Sequence, residues 1–212
     1  MRQWVAIITG AGDKAFCAGH DLKQQASGGG MVTPASGFGG LTERFDLNKP
    51  VIAAVNGAAF GGGFEIVLAC DIVIAAENAV FALPEVKVGL AALAGGLFWL
   101  PREIGMKQAM GMLLTGRPVS AQEGKELGFV NEVADGDFLD TARRWASKIL
   151  ECSPMSVRAT KDAVHRGYAA PLDATMRDQW GYPMMVEMLG SDDAREGPAA
   201  FAEKRLPRWK GR

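Results

Sequence analysis

Apolar residues fall into short dense runs over the first two thirds of the chain and into helix-spaced stripes over the last third. Residues 5–9, 51–55, 71–75 and 130–133 are rich in β-branched side chains and bounded by Gly, Asn or Asp, the pattern of buried strands. Between them, residues 61–70 read as a helix opening on glycines, and Ser120-Ala121-Gln122-Glu123 forms a capping box for a helix that Gly128 closes. This alternation predicts an α/β core. From Gly136 onward, residues 138–150, 154–165 and 172–189 carry apolar residues at helical spacing, Pro154 takes a first-turn position after Ser153, and no strand candidate remains. Residues 27–40 are rich in Gly, Ser and Pro without period and predict a mobile loop inside a domain, since the strands on either side need each other to be buried. The pattern divides the chain into a core over residues 1–135 and a helical region over 136–212, with no repeat of fixed period.

A length of 212 residues and a hydrophobic content of 48% support a sizeable core and exclude disorder. The balance of 23 Lys plus Arg against 24 Asp plus Glu leaves a net charge of -1, so nothing recommends nucleic acid or an anionic membrane as partner. Residues 51–100 are greasy, yet Glu65, Asp71, Glu77, Glu85 and Lys87 interrupt any bilayer-length window. Cys17, Cys70 and Cys152 form no CxxC and are odd in number, and His20 and His165 are isolated; no disulfide framework and no metal site is expected, and a reducing cytoplasm fits. The apolar run after Met1 is too short for a signal peptide. The chain enters an apolar strand by residue 4 with no leading segment to pair with it, which suggests a beginning in mid-fold.

Gly10-Ala11-Gly12-Asp13-Lys14-Ala15 matches a dinucleotide fingerprint, but no helix pattern and no acidic residue at the required distance follow it. A stronger candidate is Phe60-Gly61-Gly62-Gly63-Phe64-Glu65, which follows a strand and opens an apolar helix. Consecutive glycines weaken a helix and suggest a ligand approaching the backbone. The free N–H groups and positive dipole end of that first turn suit a developing oxyanion. Glu65 lies in the same turn, where a carboxylate is also an ordinary helix-stabilising choice. Glu85 follows Pro84 inside an apolar stretch; it is either a buried carboxylate tied to an amide or an Arg, or the partner of Glu65 in a dry pocket. Two carboxylates there would share a proton, with desolvation and repulsion raising one pKa, and would act as general acid and base.

Residues 15–23 (Ala-Phe-Cys-Ala-Gly-His-Asp-Leu-Lys), 56–65, Leu83-Pro84-Glu85 to Gly89, Gly95-Gly96 to Leu100-Pro101-Arg102, and the tail from Glu196-Gly197-Pro198 to Arg205 resemble, in this order, the crotonase (enoyl-CoA hydratase/isomerase) superfamily. Phe-Gly-Gly-Gly-Phe-Glu, Phe-Ala-Leu-Pro-Glu and the terminal Trp209-Lys210-Gly211-Arg212 are closest in motif to its carnitinyl-CoA dehydratase-like members. The resemblance implies an α/β crotonase-like ββα spiral core, short of its usual first strand and helix, followed by a helical C-terminal region that builds a homotrimer or dimer of trimers.

It also implies an acyl-CoA substrate from fatty acid metabolism, whose thioester oxygen sits between the backbone N–H groups of His20 and Gly62. Glu65 would be the water-activating base and Glu85 the acid/base at the α-carbon, with no cofactor beyond the substrate's own CoA. Ala18, Asp21, Leu22, Lys23, Phe60, Gly61, Pro84 and Leu93 would contact substrate or CoA, and Phe201 and Lys204 would complete the CoA site, often from a neighbouring subunit. Retention of both glutamates favours reversible syn hydration of a 2-enoyl-CoA; isomerisation, or carnitinyl-CoA dehydration, is the alternative within the family. Leu93, with Phe98 and Trp99, suggests a hydrophobic acyl pocket. The early start keeps a further class open, a truncated acyl-CoA-binding or assembly subunit with little catalysis. Lys204, Arg205, Arg208, Lys210 and Arg212 would attract CoA phosphates or simply form a solvated charge run.

Overall fold

A computed structural model describes residues 3–28 and 33–212. In chain order the elements are β1 (Ala6–Thr9), β2 (Ala15–Cys17), α1 (Leu22–Ala26), β3 (Val51–Val55), β4 (Ala58–Phe60), α2 (Gly62–Leu68), β5 (Ile72–Ala75), β6 (Val80–Ala82), α3 (Gly96–Ile104), α4 (Met106–Thr115), β7 (Val119–Ser120), α5 (Ala121–Leu127), β8 (Glu132–Val133) and α6 (Phe138–Leu150). They continue with α7 (Pro154–Gly167), α8 (Leu172–Asp178), α9 (Pro183–Leu189) and α10 (Asp192–Ala202). Short 3-10 turns cover Phe38–Gly40, Pro84–Val88 and Gln179–Gly181.

The strands form two four-stranded sheets, ordered β1-β3-β5-β8 and β2-β4-β6-β7. Consecutive strands from β1 to β6 therefore alternate between sheets, and a helical segment follows each pair. This is the ββα spiral that the motifs led us to expect. Parallel pairing of β3 with β5 runs from Ile52 opposite Ile72 to Val55 opposite Ala75. β4 lies parallel to both β2 and β6, while β7 closes the second sheet antiparallel to β6. Strand β3 is buried at all five positions, as a central strand covered on both faces must be.

Helix α2 is buried from Gly63 to Leu68, so its apolar residues need no amphipathic spacing. The rings of Phe64, Phe81 and Phe129 meet pairwise at centroid distances of 5.3, 5.1 and 5.1 Å, joining α2, β6 and the segment after α5 in one aromatic cluster. Residues 172–189, expected as one helix, divide into α8 and α9. Tyr182 is extended (φ −65°, ψ 134°) before Pro183, because proline disfavours helical backbone in the residue ahead of it. Ser120 and Ser153 both cap their helices, although the Glu123 carboxylate pairs with Arg117 at 2.7 Å and leaves the expected capping box half made. Ser120 Oγ accepts from Glu123 N at 3.2 Å, and Ser153 Oγ accepts from Ser156 N at 3.3 Å. Residues 29–32 of the glycine-rich loop lie outside the described residues. No helix among the described residues is long and apolar enough to cross a membrane.

The chain separates into two compact units, one of Ile7–Arg44 and Val51–Arg143, the other of Met1–Ala6, Phe45–Pro50 and Arg144–Arg212. In the second unit the C-terminal tail is strapped to α10. Buried Asp193 accepts from Ser153 Oγ at 2.9 Å and from Lys210 N at 2.7 Å. Glu196 accepts from the Arg205 guanidinium and from Arg208 N at 2.7 Å, and Trp209 Nε1 donates to Glu151 O at 2.8 Å. Several cations of the tail are thus already paired within the unit, Lys210 and Arg212 also standing 3.4 and 3.8 Å from Asp192.

In the first unit, Asn56 fastens the loop between β1 and β2. Its Oδ1 accepts from Gly10 N at 3.1 Å, and its Nδ2 donates to Gly12 O at 2.9 Å and Ala15 O at 3.1 Å. A Cβ on Gly10 would lie 2.2 Å from Ala15 O. The fingerprint-like glycines thus serve a loop closed on its own strands. Asn56→Ala leaves these partners unsatisfied and is expected to lower stability by about 1–3 kcal/mol, read as a lower urea midpoint at unchanged slope; an unchanged midpoint would contradict the clasp.

Candidate active site

Strand β4 delivers the chain into α2 through three glycines, each fixed by a different neighbour. Gly61 has φ +54°, a left-handed conformation natural to glycine, and a Cβ there would stand 3.0 Å from Glu85 Oε1. A Cβ on Gly62 would come within 2.5 Å of the Phe38 ring, and one on Gly63 within 2.0 Å of Cys17 O. The run expected to admit a ligand is therefore also demanded by packing. As the first residue of α2, Gly62 has no intrahelical acceptor for its N–H. Gly19, just before His20, has φ +87°, and a Cβ on it would lie 3.1 Å from Gly62 N. The backbone ahead of His20 thus runs directly over the first turn of α2.

Glu65 is only 3% exposed, and its Oε1 accepts from Gly96 N, at the start of α3, at 2.9 Å. A Cβ on Gly96 would be 3.2 Å from that oxygen, so glycine keeps the amide accessible. Burial pushes the Glu65 carboxyl up to about 7; the Gly96 N–H opposes the rise and the Glu85 charge adds to it. Glu85 comes from the 3-10 turn after β6, with Pro84 in its first position. Burial raises its pKa too, against the pull of its own backbone N–H, and its Oε2 is buried with no hydrogen-bond partner. Two carboxyls with elevated proton affinity thus share one cavity of about 190 Å³.

Of the residues expected at the site, Ala18, His20, Leu22, Gly61, Gly62, Glu65, Pro84, Glu85 and Leu93 line this cavity. Asp21, Lys23 and Phe60 do not line it. The Asp21 carboxylate caps α1, accepting from Lys23 N at 2.8 Å and Gln24 N at 3.2 Å. Phe201 and Lys204 belong to the other unit, where Phe201 is 87% exposed and Lys204 is a non-glycine residue with positive φ.

Phe98 and Trp99 are not on the wall. Phe98 points to solvent and Trp99 packs against the core. The apolar stretch after Glu85 is not buried as expected. Val86, Val88, Leu90 and Leu93 are exposed, the last three lining the cavity mouth. Gln25 and Phe38 also line the cavity. Both were missed in the sequence, where Gln25 just precedes the loop without period and Phe38 lies within it.

Two sheets wound from alternating strands, with two glutamates beside a glycine-opened helix, define a crotonase-type active-site architecture. The sequence model of the family described as enoyl-CoA hydratase/isomerase matches residues 2–212, and the chain belongs to that family. Carnitinyl-CoA dehydratase of Proteus mirabilis strain HI4320 is 47% identical over 219 residues, covering 98% of this chain and 82% of the relative. The protein of that name from Salmonella arizonae is 47% identical, covering 98% and 81%. Among solved structures, an enoyl-CoA hydratase from Mycobacterium tuberculosis H37Rv is similar with a TM-score of 0.90 at 44% identity, covering 98% of this chain and 81% of that one. An enoyl-CoA hydratase from Bacillus anthracis has a TM-score of 0.87 at 40% identity, with 98% and 81% covered.

The elevated Glu65 pKa has a consequence for stability. A carboxyl raised from 4.5 to about 7 binds more protons folded than unfolded between those values, so its contribution is present below pH 4.5 and is lost as pH rises through 7. Glu65→Gln removes that loss. The variant is expected to gain stability relative to the wild type between pH 5 and 8 by up to about 3 kcal/mol, read from urea midpoints at both pH values. A difference between the two proteins that does not change with pH would contradict the shift.

Proposed function

We propose that the chain catalyses reversible syn addition of water to a 2-enoyl-CoA. The observation that carries this reading is the meeting of Glu65, Glu85 and the first-turn Gly62 in one cavity. The thioester oxygen accepts from the N–H groups of Gly62 and His20, which stabilise negative charge as it develops there. Glu65, ionised, takes a proton from water while the hydroxide oxygen bonds to C3 and the electron pair of the double bond moves into the enolate. Glu85, protonated, then delivers its proton to C2. The pair ends with its single proton moved from Glu85 to Glu65, and return of that proton resets the site; such coupled groups titrate as a unit. No cofactor beyond the CoA of the substrate enters these steps.

CoA itself would be held along Ala18, Asp21, Leu22, Lys23 and Phe60. Phe201 and Lys204 of a neighbouring subunit would complete its site in a homotrimer or a dimer of trimers. Exposure of Phe201 at the end of α10, and of Met106, Met110 and Leu114 at successive turns of α4, supports assembly. Three cysteines at positions 17, 70 and 152, with no CxxC among them, suit a cytoplasmic setting. Dehydration of a carnitinyl-CoA is the second reading, favoured by the names of the similar dehydratases.

The test is loss of the enoyl-thioester absorbance of crotonyl-CoA. Glu65→Gln and Glu85→Gln are each expected to lower kcat/KM about 10²–10⁴-fold. Wild-type kcat/KM should fall as pH drops below about 7, because Glu65 must be ionised to accept the proton from water. A folded wild type that binds crotonyl-CoA without hydrating it, or variants that retain full activity, would overturn the reading.

A further inference from the structure

Four side-chain polar atoms among the described residues are buried with no hydrogen-bond partner, and three of them, His20 Nε2, Gln25 Oε1 and Glu85 Oε2, belong to residues that line the active-site cavity. Glu85 is accounted for by the reaction. His20 and Gln25 are not, because the His20 contribution there is its backbone N–H. Leu22 and Gln25 share one face of α1, three positions apart, and both line the cavity; Gln25 alone of α1 is not exposed. A wall that also presents Leu22, Phe38, Lys87, Leu90 and Leu93 thus carries a neutral amide whose Oε1, and an imidazole whose Nε2, find no partner in the protein. Leaving such groups unpaired when a purely alkyl chain fills the cavity and expels water is unfavourable.

We propose that Gln25, assisted by the His20 side chain, is a specificity-determining residue that hydrogen-bonds a neutral polar substituent, a hydroxyl, on the acyl chain of the substrate. This rests on the enoyl-CoA reading of the same cavity and names the class of acyl group it takes. A carboxamide both donates and accepts, as a hydroxyl does. A quaternary ammonium offers no N–H or O–H to Gln25 Oε1 and is held instead by aromatic faces or a counter-charge. Of these the wall offers the Phe38 ring, which lies against Gly62 beside the reaction centre, and the two carboxylates, which belong to the reaction, while Lys87 adds to the lining a positive charge that opposes a second cation. The substrate class is therefore a hydroxylated 2-enoyl-CoA in preference to the plain alkyl one.

The experiment measures dissociation constants by calorimetry for saturated analogues, which need no turnover: hexanoyl-CoA, its 5-hydroxy and 6-hydroxy derivatives, and 4-trimethylammoniobutanoyl-CoA. Hydration of 2-hexenoyl-CoA and its hydroxylated counterparts is followed in parallel. The wild type is expected to bind at least one hydroxylated analogue about tenfold more tightly than hexanoyl-CoA, the yield of one well-made hydrogen bond. Gln25→Met should erase that ratio by weakening the hydroxylated analogue alone, and Gln25→Leu serves if the methionine variant does not fold. Equal binding by the wild type, tightest binding of the trimethylammonio analogue, or an unchanged ratio in the variant would overturn the proposal. A preserved binding ratio without any hydration would instead overturn the hydratase reading and leave the assignment of Gln25 standing.

Discussion

A carboxylate only 3% exposed, held by a hydrogen bond of 2.9 Å from the Gly96 amide, is the constraint around which the first unit is arranged. Burying Glu65 is unfavourable, and the fold accommodates it by raising its proton affinity and by aiming the first amide of α3 at it. Helix α2 must then be buried almost throughout, α3 must begin on a glycine, and β6 must end where Glu85 reaches the same cavity. Each requirement is met by a local feature of the chain: the apolar run from Phe64 to Leu68, Gly95-Gly96, and Leu83-Pro84.

Glycine makes this arrangement possible in a way that counting glycines does not reveal. Gly61 admits Glu85 beside the α2 terminus, Gly62 admits the Phe38 ring, Gly63 admits the Cys17 carbonyl, and Gly19 brings the chain before His20 over Gly62. The backbone N–H groups proposed to hold a thioester oxygen are thus set in place by contacts of the protein with itself. Such preorganisation lets the donors act without rearrangement as charge develops. The same cavity carries groups the reaction does not use, and there substrate choice enters.

The central strands, the opening of α2 and both glutamates were legible in the sequence, because a dense β-branched run, a glycine triplet and a carboxylate after proline in apolar surroundings each leave a local signature. Strands β2, β4 and β6 were not read from hydrophobic pattern. At three residues each they are too short for period to separate them from loop, and parallel pairing to distant strands creates them. Phe98 and Trp99 misled because aromatic composition does not say which way a helix face points. Gln25 and Phe38 were invisible for a related reason: one just precedes the aperiodic loop and the other lies within it, so only the tertiary fold reveals their place. Pro183 was the exception, a visible break signal inside an otherwise continuous helical stripe.

The most direct measurement is a proton NMR time course of crotonyl-CoA with the wild-type chain in deuterium oxide. If Glu65 activates water and Glu85 protonates C2, the thioester becomes 3-hydroxybutyryl-CoA carrying a single deuterium at C2 at early times. Migration of the double bond to C3–C4 without hydroxyl addition, or bound crotonyl-CoA that neither hydrates nor acquires deuterium, would contradict the two-carboxylate hydration account.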